Sequence, residues 1–358
     1  MILNIYKYKN TFPKISFGCS IKATSHIIGD VIIGSNSRVD DYVVLRGDGS
    51  KIFIGDKVTF LDRSTVHVAN THMGSYIGSG SIVGRYAVIH AAKIEKSTII
   101  GDKSVIMDGS QIGEKTIVKA NSLVPPGKIF GNNLLIGGAP AKIIRTLKEK
   151  ENQKFKDKIL SSHLLSNEVK TSKYWGDPLP HTNNKKWYNK KLGNQNYDKD
   201  SFIAPNSLIR GNLNIKARTS IWFSTILTSN KNGQIIIEEG TNVQDNSILD
   251  AKDKIIKIGK NVTVGHNVRL ENCTIGDNSL IGMGSTIKAG TTIQDNAFVG
   301  ARSLVEKNSV ILSGTIYAGR PAKFFRNTKE EEVKYFKKGQ KIYEKLALIY
   351  NKELYSLY

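Results

Sequence analysis

The stretch 262–284, VTVGHNVRLENCTIGDNSLIGMG, is built of hexads: an aliphatic residue, often followed by glycine, then three or four small or polar residues. Val264-Gly265, Ile275-Gly276 and Ile281-Gly282 show the unit, and the pattern runs on through Ile287 and Ile293. An amphipathic helix would place apolar residues three and four apart, and a half-buried strand would alternate. A six-residue period satisfies neither. It belongs to a parallel β-helix, where each hexad is one side of a triangular coil and the aliphatic residues stack inside.

The hexads occur twice. A first set begins near Ile21 or Ile27 and runs through Ile33, Val39 and Leu45. The stretch Leu45-Arg46-Gly47-Asp48 interrupts it with a loop, and it resumes from Ile77 to Val118. A second set runs from Phe202 to Val305. Pro140 and Pro321 lie 181 residues apart, as do Val124 and Val305, while Leu45 and Leu227 lie 182 apart. The chain therefore reads as an internal duplication: lobe A over 17–172, a polar linker over 173–199 carrying Trp175 and Trp187, and lobe B over 200–358. A charged texture with spaced apolar residues predicts a helix after each prism, over about 143–167 and again over 327–358.

A hydrophobic content of 39% is low for a globular enzyme of 358 residues but suits a solenoid, whose core is a thin ladder. The formal charge of +21 raises nucleic-acid or anionic-membrane binding. The lysines are scattered, however, and no nucleic-acid motif accompanies them, so no nucleic-acid partner is expected. Cys19 and Cys273 lack partner spacing and read as reduced thiols. No apolar run reaches the ~18 residues of a membrane span. The N-terminus has no acidic residue before Asp30, which resembles a short transit segment and points to mitochondria, with the cytoplasm as alternative.

The stretch VTVGHNVRLENCTIGDNSLIGMGSTI, with the exit Ala318-Gly-Arg-Pro-Ala-Lys323, resembles the gamma-class carbonic anhydrases. The resemblance implies a mainly β fold of two left-handed parallel β-helix lobes, each followed by a C-terminal α-helix. It also implies a zinc ion held by three histidines across a trimer interface, two from one protomer and the third from its neighbour. The motif ending in the first family histidine appears in lobe A as Thr59-Phe-Leu-Asp-Arg-Ser-Thr-Val-His67, with Leu61 in place of the family glutamine. Lobe B has Asn242-Val-Gln-Asp-Asn-Ser-Ile-Leu-Asp250, which keeps Gln244 and loses the histidine. The Gly-His-x-x-x-x-His motif reads Gly84-Arg85…His90 in lobe A and Gly265-His266…Glu271 in lobe B.

Neither lobe alone supplies the three histidines, but their losses are complementary. One contact between the lobes, lying side by side, would join His67 and His90 to His266, with Gln244 facing the metal from the same side. The opposite interface would set Arg85 against Asp250 and Glu271, a fork-to-carboxylate cluster that tolerates burial. Arg46 and Asp48 match the family's Arg–Asp pair near the metal; lobe B has Thr228-Ser229-Asn230 instead. His72 is a candidate acyltransferase-like base, and His26, His163 and His181 read as surface residues.

Two functions follow from the resemblance. One is reversible CO2 hydration at a shared zinc site, with CO2 and bicarbonate as ligands. The other is a non-catalytic scaffold or assembly subunit of a mitochondrial respiratory complex, complex I. In either case two lobes leave one place in a three-membered ring, for another copy or a related chain. A hexapeptide acyltransferase is a third reading, resting on His72 alone.

Overall fold

The structure, a computed structural model, describes residues 4–69, 72–166 and 193–355. Each hexad contributes a strand, mostly of two to four residues, that pairs in parallel with the coil before and after it. The inward ladder of one face runs Val39, Phe60, Val83, Ile100, Val118 and Ile136, every side chain fully buried. Each such residue contributes roughly 1.5–3 kcal/mol by leaving water. The second half has three sheets of seven, eight and six strands, one per prism face. In the first half two faces merge into a 12-stranded sheet, because the strand Val44–Ile54 turns a corner. Its Val44–Arg46 end pairs with Thr65–His67 and its Ile52–Ile54 end with Ser75–Ile77.

The two halves have separate aliphatic cores. They stand side by side and point the same way, because equivalent corners of the two prisms meet. Those corners are residues in the left-handed conformation. Asn246 (φ 59°) donates its side-chain amide to the Tyr42 carbonyl at 3.2 Å, and Asn267 (φ 56°) donates to the Tyr86 carbonyl at 2.7 Å. Arg302 donates to Asn121 Oδ1 at 2.7 Å, near the far end of the same edge. Gly284 (φ 69°) belongs to this row, and a Cβ there would come within 3.0 Å of Val105 across the contact.

Each prism closes with an antiparallel strand, Ala141–Thr146 against Leu134–Gly138 and Ala322–Asn327 against Thr315–Gly319. Helices follow: α1, Glu151–Ser166, and α2, Glu330–Tyr355. The first helix thus starts later than the texture at Ile143 implies. The chain reverses at Pro140 and returns along the last coil, where pairing satisfies backbone groups that an open edge would leave unpaired. Arg145–Glu151 and Arg326–Glu332 ion pairs repeat this closure in both halves.

Parallel pairing also starts before position 17. Strands Asn4–Tyr6 and Lys14–Ile15 both pair with His26–Ile33, so the segment that resembles a transit sequence joins the first coils. The strand Gln195–Tyr197 pairs with Asn212–Ile215 inside the expected linker; the rest of that linker up to 192, with Trp175, His181 and Trp187, lies outside the described residues. His26 is not a surface residue. It is buried where the lobes meet, its Nδ1 3.1 Å from Asn206 Nδ2 and its ring 5.3 Å from that of Phe223. The helix α2 packs Ala347, Tyr350 and Leu354 onto Phe202, Trp222, Phe223, Tyr8 and Val44, an aromatic cluster that spans both halves. No helix among the described residues is long and apolar enough to cross a membrane.

Candidate metal centre

Coil register places the site. Arg46 pairs with His67, and His67 pairs with His90, so one column of the first prism carries an arginine and two histidines. The same column of the second prism carries Thr228, Asp250 and Glu271. His266 immediately precedes the corner residue Asn267, and the Asn267–Tyr86 bond carries it across to the first prism. Its ring lies 5.2 Å from that of His67 and 5.8 Å from that of His90. One ring nitrogen from each of the three histidines lies within 4.8 Å of the other two.

A carboxylate stands at another nitrogen of each ring. Asp48 Oδ1 lies 3.0 Å from His67 Nε2, Asp108 holds His90 Nδ1, and Asp245 Oδ2 lies 3.1 Å from His266 Nδ1. Such partners fix tautomer and ring orientation in metal-binding histidines. His266 is fully buried, and while Asp245 stands at its Nδ1, its Nε2 has no hydrogen-bond partner among the described residues. His67 Nδ1 and His90 Nε2 are 3.2 Å apart. That spacing suits two ligands at ~2.0–2.1 Å from a tetrahedral zinc, and equally an imidazole–imidazole hydrogen bond. Three imidazoles, one of them with a buried Nε2 left unpartnered, fit a zinc ion.

Burial keeps the His67 and His266 rings neutral. It pushes His67 down to about 3, helped by the Arg46 guanidinium, and it lowers His266. Neutral imidazole is the form that binds metal. Arg46 is wholly buried between Asp48 and Asp245, its Nη2 3.1 Å from Asp245 Oδ2, with its guanidinium 4.3 Å from the Trp222 ring centre. Burial would raise both carboxyls, but Arg46 outweighs it. Asp48 is held well below the usual range and Asp245 at about 2. Tyr350 donates its hydroxyl to Asp48 Oδ2 at 2.8 Å.

Of the six residues singled out in the sequence, His67, His90 and His266 converge, and Arg46 with Asp48 braces them from behind. Gln244 is buried at the edge of the cleft lined by His67 and His90, its Nε2 donating to Asn242 Oδ1 at 3.2 Å. His72 lines the same cleft. Arg85 pairs with Asp62 and Asp102 of its own prism, and Glu271 with Arg269, so the contact that unites the histidines is not one that joins Arg85 to Asp250 and Glu271. Cys19 and Cys273 are free thiols. Sequence reasoning missed Asp108, Asp245, Trp222, Tyr350 and Tyr343, whose hydroxyl lies 3.4 Å from Arg46 Nη2. Tyr343 and Tyr350 are seven apart on one helical face, the signal available for them, but nothing in the chain says which lobe that face covers.

Comparison with known proteins follows the same lines. The family model for the bacterial transferase hexapeptide (six repeats) matches residues 256–289. A carbonic anhydrase of Geobacillus kaustophilus is 37% identical over 145 residues, covering 40% of this chain and 79% of that protein. The mitochondrial gamma carbonic anhydrase 2 of Arabidopsis thaliana is 38% identical over 163 residues, covering 44% of this chain and 58% of the plant protein. A putative acetyltransferase structure from Desulfovibrio desulfuricans, 13% identical, superposes with a TM-score of 0.54 over 97% of this chain and 82% of that one, a likeness of fold alone.

Proposed function

The chain belongs to the hexapeptide-repeat family of the gamma-class carbonic anhydrases, and from that premise we propose that its two lobes share one zinc site and hydrate CO2 reversibly. The observation that carries this reading is the meeting of His67 and His90 with His266, from the other half of the chain, whose Nε2 is buried without a partner among the described residues. A zinc ion bound there would lower the pKa of its water to about 7 and so supply a nucleophile at neutral pH.

The chain's own groups have separable roles. Asp48 accepts the His67 Nε2 proton and leaves Nδ1 to face the ion. Asp108 does the same for His90 from its Nδ1 side. Arg46 keeps Asp48 and Asp245 ionised, which fixes both from one point. Gln244, at the cleft, orients water or bicarbonate. The test is metal content with a CO2 hydration assay on purified protein. About one zinc per chain with activity above buffer is expected; a metal-free protein without activity overturns the reading.

Asp250 and Glu271 in place of two histidines favour a second reading, a non-catalytic assembly subunit of a mitochondrial respiratory complex. The mitochondrial plant relative supports that location. Zinc-free protein co-migrating with a large membrane complex would favour this reading over the first. Beside the equivalent corners, the lobe contact joins unlike faces, the His67–His90 column of one prism and His266 of the other, so it does not close on itself. A third lobe, from a second copy or a related chain, completes the ring under either reading.

A further inference from the structure

The cleft that opens from the histidine centre is large. Its volume is about 1230 Å³, where sites for drug-sized ligands measure ~300–1,000 Å³, and CO2 or bicarbonate would fill a small part of it. The cleft runs beneath α2 along the eight-stranded face of the second prism. Leu280, Met283 and Ile316 of the prism and Ile342, Leu346 and Ile349 of α2 line it, and all six are half-buried. They leave apolar surface to the cleft where a closely packed helix would bury it.

Charge along the cleft is one-sided. Lys338, Lys341 and Lys345 line it from one stripe of α2, spaced three and four apart, all exposed and without an ion-pair partner among the described residues. Lys9 lines it from the N-terminal segment. Of the carboxylates there, Asp48 and Asp108 are committed to His67 and His90, and Asp30 remains. An apolar trough edged by unpaired ammonium groups complements a ligand with an alkyl chain and an acidic end.

We propose that this cleft binds an amphipathic anion, an alkyl carboxylate whose chain lies along Leu280, Met283 and Ile316 and whose carboxylate meets the lysine stripe of α2. The site adjoins the metal centre but is independent of it and of CO2 hydration. The test is calorimetric titration of zinc-free protein with octanoate, decanoate and dodecanoate below their micelle concentrations, with dodecyltrimethylammonium as the cationic counterpart. Affinity should rise about three- to fourfold per methylene, and the cationic amphiphile should bind at least tenfold more weakly than dodecanoate. The half-buried Leu280→Glu change should abolish the chain-length dependence. The triple change K338E/K341E/K345E, confined to exposed positions, should weaken dodecanoate at least tenfold. Adding zinc should leave dodecanoate affinity unchanged. Equal binding of the two amphiphiles, a flat chain-length series, or a K338E/K341E/K345E protein that binds dodecanoate as the parent does would overturn the proposal. CO2 hydration enters none of these readouts, so failure here leaves the zinc reading standing, and failure of that reading leaves this one.

Discussion

His266 of the second prism lies with its ring 5.2 Å from that of His67 in the first, and its buried Nε2 has no hydrogen-bond partner among the described residues. Burial of an unsatisfied ring nitrogen costs roughly 1–3 kcal/mol, a cost that a bound cation would reverse.

Changing His266 to Ala should therefore release zinc as fully as changing His67 or His90. Asp250→Ala and Glu271→Ala should leave metal content intact, because their column does not face the three rings. Zinc per chain, measured after dialysis of each variant, checks this. Retention of zinc by the His266 variant alone would show that the lobes do not share the ion.

Arg46 neutralises two buried carboxylates at once. Arg46→Met should cost roughly 3–5 kcal/mol, since it strands Asp48 and Asp245 in the interior. Arg46→Lys should recover only part of this, because a point-charged ammonium cannot reproduce the fork that reaches both. Urea melts of the three proteins give the comparison, and a lysine variant as stable as the parent would remove the bidentate argument.

Acid should destabilise the metal-free fold before its carboxylates titrate. Burial lowers His26 from its ordinary 6.5 to about 3. Between those values the unfolded chain binds a proton that the folded chain refuses, so stability is full above pH ~6.5 and falls as pH drops toward ~3. His67 acts in the same direction. Asp245, held at about 2, adds a further loss below its ordinary range near 4. His26→Gln should flatten the slope between pH 6.5 and 4 in urea-melt free energies. An unchanged slope would mean that His26 protonates in the folded protein.

Two glycines separate backbone strain from contact. Gly284 and Gly314 share positive φ, 69° and 67°, but a Cβ meets Val105 and Arg302 at the first and nothing within 4 Å at the second. Gly314→Ala should cost ~1 kcal/mol from conformation alone. Gly284→Ala should cost more and should loosen the prism contact, seen as faster proteolysis between the lobes. Equal costs would show that the contact yields without resistance.

Much of the fold was legible because a solenoid is nearly one-dimensional. The period of six dictates a strand per hexad, and Val39 must stack over Phe60 and Val83 whatever lies outside the coil. The repeat of Pro140 at Pro321 likewise dictates two such units. The boundaries were less legible: residues 143–146 look like the start of a helix, yet reversal onto the last coil makes them part of a strand.

The site divides the same way. Register along a single prism follows from the hexads, so the Arg46–His67–His90 column was determined by the sequence itself. The sequence also held His266 in the other repeat, but no periodicity states which edge of one prism meets which edge of the other. That was decided by the corners, where Asn246 and Asn267 turn side-chain amides onto the Tyr42 and Tyr86 carbonyls. The partners drawn from α2 depend on it too. Tyr350 reaches Asp48 only because the helix of the second half lies over the first, and Asp245 meets Arg46 across the same contact. Hydrogen bonds and ion pairs between distant surfaces carry no local spacing, and so only tertiary packing brought His266, Asp245 and Tyr350 to that column.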